Sequence, residues 1–322
     1  MIKSFIKEIN NLIVPIYFNG KKKNIFIFST PRSGSTWLLE LLASQSYMSY
    51  CFEPFDIRSN VVKKQLNKIG IYSWSDIYNK GFKQKLLKYK VLQNGYLKGR
   101  NPKILDLKRW RNGIFSNEFN FFSNRLVFKI LHACEDEIDL IKNNFNCDVI
   151  FLIRHPIAVS LSRTVSPRLE YFIGSDYSNN FSSKVIKESK NIFKKGNDLE
   201  RKVLSWCFQN SVPLKKHNKH FTLITYEQLV TNNEMMIDFI CQKFDLNSKR
   251  KLSNIIKNAS KTSSINKSNF NFDKSFKNTN IASYKEKIND CQEKKLMDIL
   301  KLFDIDIYSY SNTMPNQKYL IK

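Results

Sequence analysis

The sequence contains no C-x-x-C pair and no histidine at zinc-ligand spacing from a cysteine. Its six cysteines, at positions 51, 134, 147, 207, 241 and 291, are scattered. Neither a disulfide framework nor a metal site is expected, and a reducing compartment fits. No apolar run is long enough to span a bilayer: the opening stretch MIKSFIKEINNLIVPIYF has a weak helical period broken by Lys7, Glu8 and Pro15. A cytoplasmic protein without a transmembrane segment is expected, with a peripheral amphipathic contact to a membrane surface left open. There is no internal repeat. Acidic residues are also scarce, 28 Asp+Glu against 53 Lys+Arg, for a formal charge of +25. Such an excess attracts polyanions, whether nucleic acid, an anionic membrane or a heavily phosphorylated small molecule. The same lysines sit among asparagine and isoleucine along the whole chain, so codon bias accounts for the excess equally well.

What is present is ample material for a core. The chain has 322 residues, of which 42% are hydrophobic and 13% aromatic. Strand-like runs at Asn24–Ser29, Tyr50–Phe52, Arg125–Ile130, Asp148–Ile153 and Phe221–Thr225 alternate with helical patterns, the signature of an α/β fold with a mainly parallel sheet. Residues 56–124 lack a clean period and 164–183 read as a long loop; insertions of this kind often carry specificity. Residues 259–282 are polar. After them CQEKKLMDILKLFDI places apolar residues at helical spacing for a final helix.

Two junctions carry chemistry. The first, FSTPRSGSTW at 28–37, joins a strand to a helix. In that geometry backbone N–H groups and the helix dipole converge on one concavity, which favours an anion. Gly34 permits close approach, Arg32 brings fixed charge, and Ser33, Ser35 and Thr36 can donate hydrogen bonds. The plainer reading is a helix start capped by Ser35. The phosphate loop G-x-x-x-x-G-K-[ST] is not matched, because its first glycine and its lysine are missing. The second junction is DVIFLIRHPIAVSLSR at 148–163, where Arg154 stands at the carboxyl end of a buried strand and Pro156 opens a helix. Ser162 is expected two turns into that helix. Arg154 alone is an ordinary surface cation; beside a second anion-type turn at the same sheet edge it becomes a ligand candidate.

Taken together, TPRSGSTWL and RHPIAVSLSR resemble the two nucleotide-binding motifs of sulfotransferases that use 3′-phosphoadenosine 5′-phosphosulfate. ITYEQLVTNNEMMIDFICQKFDL at 224–246 is similar to the family's strand, Y-E-D-L and helix, and WCFQNSVPL at 206–214 to the helix before them. The resemblance implies a P-loop NTPase-like parallel sheet flanked by helices, in a single domain over 1–322, with 56–124 and 164–200 as acceptor-side insertions. It implies that Arg32, Ser33, Gly34, Ser35, Thr36 and Trp37 surround the 5′-phosphosulfate, and that Arg154 and Ser162 hold the 3′-phosphate. SKTSS at 260–264 is a further candidate for that phosphate. Arginine at position 32, where many cytosolic members carry lysine, makes the turn more similar to carbohydrate and glycolipid sulfotransferases.

Sulfuryl transfer needs a base for the acceptor hydroxyl and positive charge at the leaving oxygen. Glu53, in YCFEPFD, resembles the base of an E-P segment in carbohydrate-type members; the plain alternative is a loop carboxylate paired with Arg58. His132, in LVFKILHAC, is the rival base, although the spacing is Lys-x-x-His where cytosolic members have Lys-x-His. Lys129 either reaches the sulfate or meets solvent. Arginine and backbone donors can replace magnesium here, since a sulfuryl group carries less charge than a phosphoryl group, and no metal is expected. The expected partners are the nucleotide donor and a sugar or glycolipid hydroxyl, with no nucleic acid; the oligomeric state is not legible. The alternatives are a P-loop-like kinase or NTPase, and a basic nucleic-acid-binding protein.

Overall fold

The computed structural model describes residues 16–17, 21–45, 48–79, 81, 85–88, 91–92, 122–131, 133, 135–145, 147–164, 168–216, 220–247 and 281–322. Its strands are β1 (Ile16–Tyr17), β2 (Asn24–Ser29), β3 (Met48–Phe52), β4 (Phe122–Ser123), β5 (Arg125–Ile130), β6 (Cys147–Ile153) and β7 (Thr222–Thr225). β1 and β4 form a small parallel pair. The other five make one sheet in the order β3-β5-β2-β6-β7, and every neighbouring pair is parallel. This is the P-loop NTPase-like α/β sheet flanked by helices that the sequence predicts.

The near-continuous apolar strands follow from burial on both faces, which an all-parallel sheet requires. Alternation along NIFIFS sends Ile25 and Ile27 to one face and Phe26 and Phe28 to the other. On the aliphatic face, Ile25, Ile27, Val127, Ile150 and Leu152 receive α1 (Ser35–Ala43) through Trp37, Leu38, Leu41 and Leu42. On the aromatic face Phe26 stacks on Phe128, ring centroids 4.4 Å apart and 9° from parallel, a pairing worth about 0.5–1.5 kcal/mol beyond its burial. That face is covered by α2 (Asn60–Lys68), α3 (Trp74–Tyr78), α4 (Ile138–Asn144), α5 (Pro156–Leu161), α6 (Leu169–Gly174) and by helices introduced below. Lys129 occupies the Val127 face of β5, so it points towards α1 and not towards solvent.

The segment read as a loop at 164–183 is instead largely ordered. Residues 169–174 form α6, which buries Leu169, Phe172 and Ile173, and a 3-10 turn follows at Asp176–Asn180. The apolar i, i+3, i+4 spacing of LEYFIG is enough for a helix of this length once α8 (Asp198–Lys215) packs against it; α7 (Ser183–Lys195) intervenes in the chain. After β7 come α9 (Tyr226–Thr231) and α10 (Asn233–Lys243), and the final helix of the sequence reading is α11 (Asp290–Leu302). Among the described residues no helix is long and apolar enough to cross a membrane.

Candidate active site at the carboxyl edge of the sheet

In a parallel sheet all carboxyl ends lie on one edge, and ligands collect where neighbouring connections diverge. Here β2 feeds β3 on one side while its neighbour β6 feeds β7 on the other, so the turn after β2 lies at the divergence. The registers Phe52↔Lys129, Phe28↔Ile130, Ser29↔Leu152 and Ile153↔Thr225 bring Glu53, Lys129, the turn at 30–34, Arg154 and Tyr226 to that edge.

The turn has the backbone of an anion cradle and lacks the cap of an ordinary helix. Gly34, not Ser35, is the N-cap of α1; no side chain caps the helix, and its first turn holds no acidic residue. Its N–H groups and dipole are therefore left to an external anion. Arg32 and Gly34 both take positive φ, 75° and 87°. A Cβ on Gly34 would lie 2.6 Å from Cδ2 of Tyr226, so only glycine lets that ring close over the turn. Ser33 is 0% exposed, and among the described residues its hydroxyl has no hydrogen-bond partner. A buried unpartnered hydroxyl costs about 1–3 kcal/mol, a cost that a bound anion would offset. Arg32 itself is exposed, Ser35 and Trp37 are buried, and the Trp37 ring meets Tyr226 edge-on at 6.2 Å. The turn is also fastened from behind. Asn210 in α8 donates to Thr30 Oγ1 at 2.8 Å, and Ser29 Oγ donates to Leu152 O at 2.8 Å.

Glu53 and Lys129 come together. Lys129 Nζ donates to Glu53 Oε1 at 2.8 Å and to Thr36 Oγ1 at 2.7 Å, and Glu53 N donates to Lys129 O at 2.9 Å. Lys129 is 2% exposed and lies over the Phe52 ring at 3.9 Å. Glu53 is not paired with Arg58, whose partner is Asp56 at 2.8 Å. The shorter i, i+2 reach to Asp56 decides that pairing. Glu53 has φ 49°, a positive value rare for a residue other than glycine, in contrast to the extended conformation that the following Pro54 favours. His132 lies outside the described residues, as do residues 260–264.

Arg154 lies over the face of Tyr226, Cζ to centroid 4.2 Å, and donates to Arg32 O at 3.3 Å, so the two junctions touch. Ser162 is not two turns into a helix. α5 stops at Leu161, Ser162 is its C-cap, and its hydroxyl donates to Val159 O at 2.9 Å. It must leave that carbonyl to donate to an anion. Sequence reasoning missed Tyr226, Glu227, Trp206 and Asn210 as parts of the site. The motifs containing them were visible, but which side chain turns towards the junction depends on packing across strands.

The model of the sulfotransferase family matches residues 24–250. The chain belongs to the sulfotransferase family. Membership makes it a 3′-phosphoadenosine 5′-phosphosulfate-dependent sulfotransferase, which sets aside the kinase alternative. Three solved structures are similar to it. The sulfotransferase domain from the curacin biosynthetic pathway has 17% identity and a TM-score of 0.46, covering 89% of this chain and 99% of that one. The sulfotransferase domain from the Synechococcus PCC 7002 olefin synthase has 15% identity and a TM-score of 0.43, covering 90% and 98%. Mouse sulfotransferase SULT7A1, complexed with PAP, has 16% identity and a TM-score of 0.40, covering 88% and 84%. No curated protein sequence matches the chain. An anionic donor of the family's type suits the sulfotransferase turn on its own chemistry: an uncapped helix start, an orphaned Ser33 hydroxyl and cations at Arg32, Lys129 and Arg154.

Proposed function

We propose that this sulfotransferase sulfates a hydroxyl of a carbohydrate or glycolipid, with Glu53 as general base. The observation that carries the reading is the Thr36–Lys129–Glu53 chain of hydrogen bonds, which joins the anion turn to a buried carboxylate at the same sheet edge. The donor supplies a sulfuryl group on a phosphate leaving group. Arg32, Ser33, Gly34, Ser35, Thr36 and Trp37 surround the 5′ end, through backbone N–H groups, hydroxyls and one guanidinium. Arg154 and Ser162 take the 3′-phosphate. Glu53 accepts the proton of the acceptor hydroxyl as that oxygen bonds to sulfur and the bond from sulfur to the bridging oxygen breaks. Lys129 and Arg32 offset the charge left on that oxygen, and the products are the sulfate ester and the 3′,5′-bisphosphate.

The reading treats 1–322 as one sulfotransferase domain in which 56–124 and 164–200 border the acceptor. A reducing, cytoplasmic setting is part of it, supported by free thiols at Cys51, Cys147, Cys207, Cys241 and Cys291. The test is a donor-dependent transfer screen against sugars, glycolipids and phenols, with product mass as the readout. Transfer to sugars or glycolipids is the expected result; transfer confined to phenols overturns the acceptor class. Arg154→Ala should weaken binding of adenosine 3′,5′-bisphosphate by about 1.5–3 kcal/mol and hardly change that of adenosine 5′-phosphate.

A further inference from the structure

Residues 281–322 lie beyond the region matched by the family model, yet they pack onto the second junction motif and the start of α9. β6 ends at Ile153, so the peptide joining Arg154 to His155 is the first beyond the ladder. Both of its polar groups are held by side chains. Trp206 Nε1 donates to Arg154 O at 3.2 Å, and His155 N donates to Glu227 Oε1 at 2.8 Å. The other oxygen of Glu227 accepts from the Tyr308 hydroxyl at 2.8 Å. Three successive residues thus grip three different things. The Tyr226 ring lies under the Arg154 guanidinium, Glu227 holds the peptide, and the Gln228 amide accepts from Ile321 N and donates to Ile321 O. The His155 ring stacks on Tyr284 at 4.3 Å and meets Tyr308 edge-on at 4.8 Å.

Glu227 is 1% exposed, and burial raises its pKa. A carboxylate in such a place is costly unless its lone pairs are engaged in fixed directions. Here those directions run to the peptide after Arg154 and to the C-terminal segment. We propose that Glu227 and Tyr308 are positioning residues for Arg154: the C-terminal segment, through Tyr308, sets the orientation of the 154–155 peptide and with it selectivity for a nucleotide bearing a 3′-phosphate. The proposal rests on Arg154 as the 3′-phosphate ligand. Tyr308 acts only through Glu227 and Arg154, so its influence must disappear when the guanidinium is removed.

The experiment is calorimetry on the full chain with adenosine 3′,5′-bisphosphate and adenosine 5′-phosphate, for the unaltered protein, Arg154→Ala, Tyr308→Phe, the double variant and Glu227→Gln. Tyr308→Phe should weaken the bisphosphate about 3- to 10-fold and leave the monophosphate within about twofold, the size of one hydrogen bond. Glu227→Gln keeps an acceptor for His155 N and should fall between Tyr308→Phe and the unaltered protein. In the Arg154→Ala background Tyr308→Phe should have no further effect. Equal losses for both nucleotides, or a Tyr308→Phe loss that persists without Arg154, would show a merely structural role and overturn the proposal. If Arg154→Ala itself weakens both nucleotides equally, the assignment of Arg154 fails, and the proposal falls with it for a distinguishable reason.

Discussion

The Lys129 ammonium donates to the Glu53 carboxylate at 2.8 Å between two neighbouring strands, with both side chains buried. Removing one partner of such a pair leaves the other charge uncompensated, typically at about 3–5 kcal/mol. Glu53→Gln retains an oxygen for Lys129 but cannot take a proton at neutral pH. It should keep its donor affinity and lose about 10²–10⁴-fold in turnover. Glu53→Ala should lose turnover and also melt earlier. His132→Asn is the control: if it abolishes turnover while Glu53→Gln retains it, the histidine is the base.

Gly34→Ala tests how closely the turn is covered. The left-handed backbone alone costs an alanine about 1–2 kcal/mol, and its Cβ would displace the Tyr226 ring. Donor affinity should fall along with stability. In a Tyr226→Leu background the added loss of affinity on Gly34→Ala should shrink, because less ring is in the way; titration calorimetry and thermal melts of the four proteins read this out.

Burial holds the His155 imidazole neutral, its pKa lowered from 6.5 to about 3. Below pH 6.5 the unfolded chain takes up a proton that the folded chain refuses, so this residue's contribution to stability is intact above pH 6.5 and is lost as pH falls towards 3. The slope is about 1.4 kcal/mol per pH unit within that window. Glu227 and Glu135, whose pKa values burial raises, act with the opposite sign. Denaturant melts of the protein and of His155→Phe, compared between pH 7 and pH 5, isolate the histidine: the variant should lose less stability on acidification. Parallel curves would contradict the assignment.

Arg32, Lys129 and the uncapped start of α1 bring fixed positive character to the turn. Transfer should therefore continue in EDTA. Activity that vanishes with chelator and returns with Mg²⁺ would show that these groups do not suffice.

The strands were legible because a sheet buried on both faces needs near-continuous apolar runs, and NIFIFS, RLVFKI and CDVIFLI supply them. The anion turn was legible because its chemistry is local: Arg32, Ser33 and Gly34 act within one bend. The partner of Glu53 was not. The nearby Arg58 looked suitable, whereas the actual ion pair is made with Lys129, which strand registration brings alongside from far along the chain. Ser162 was misplaced by the reverse error, since a helical pattern continued past the point where α5 ends. Glu227 could not be read as a support for Arg154, because the peptide it holds follows a different strand, β6, far back along the chain.

The fastening of the turn by Asn210, and the origin of the edge residues in five different strands, also constrain how the molecule assembles. The contacts that tie the strand ends together at this edge span large separations in sequence, from Glu53 with Lys129 to Thr30 with Asn210. Chain closure of that length delays folding. Helical circular dichroism should return early on dilution from denaturant, and nucleotide binding should return only with the slowest phase.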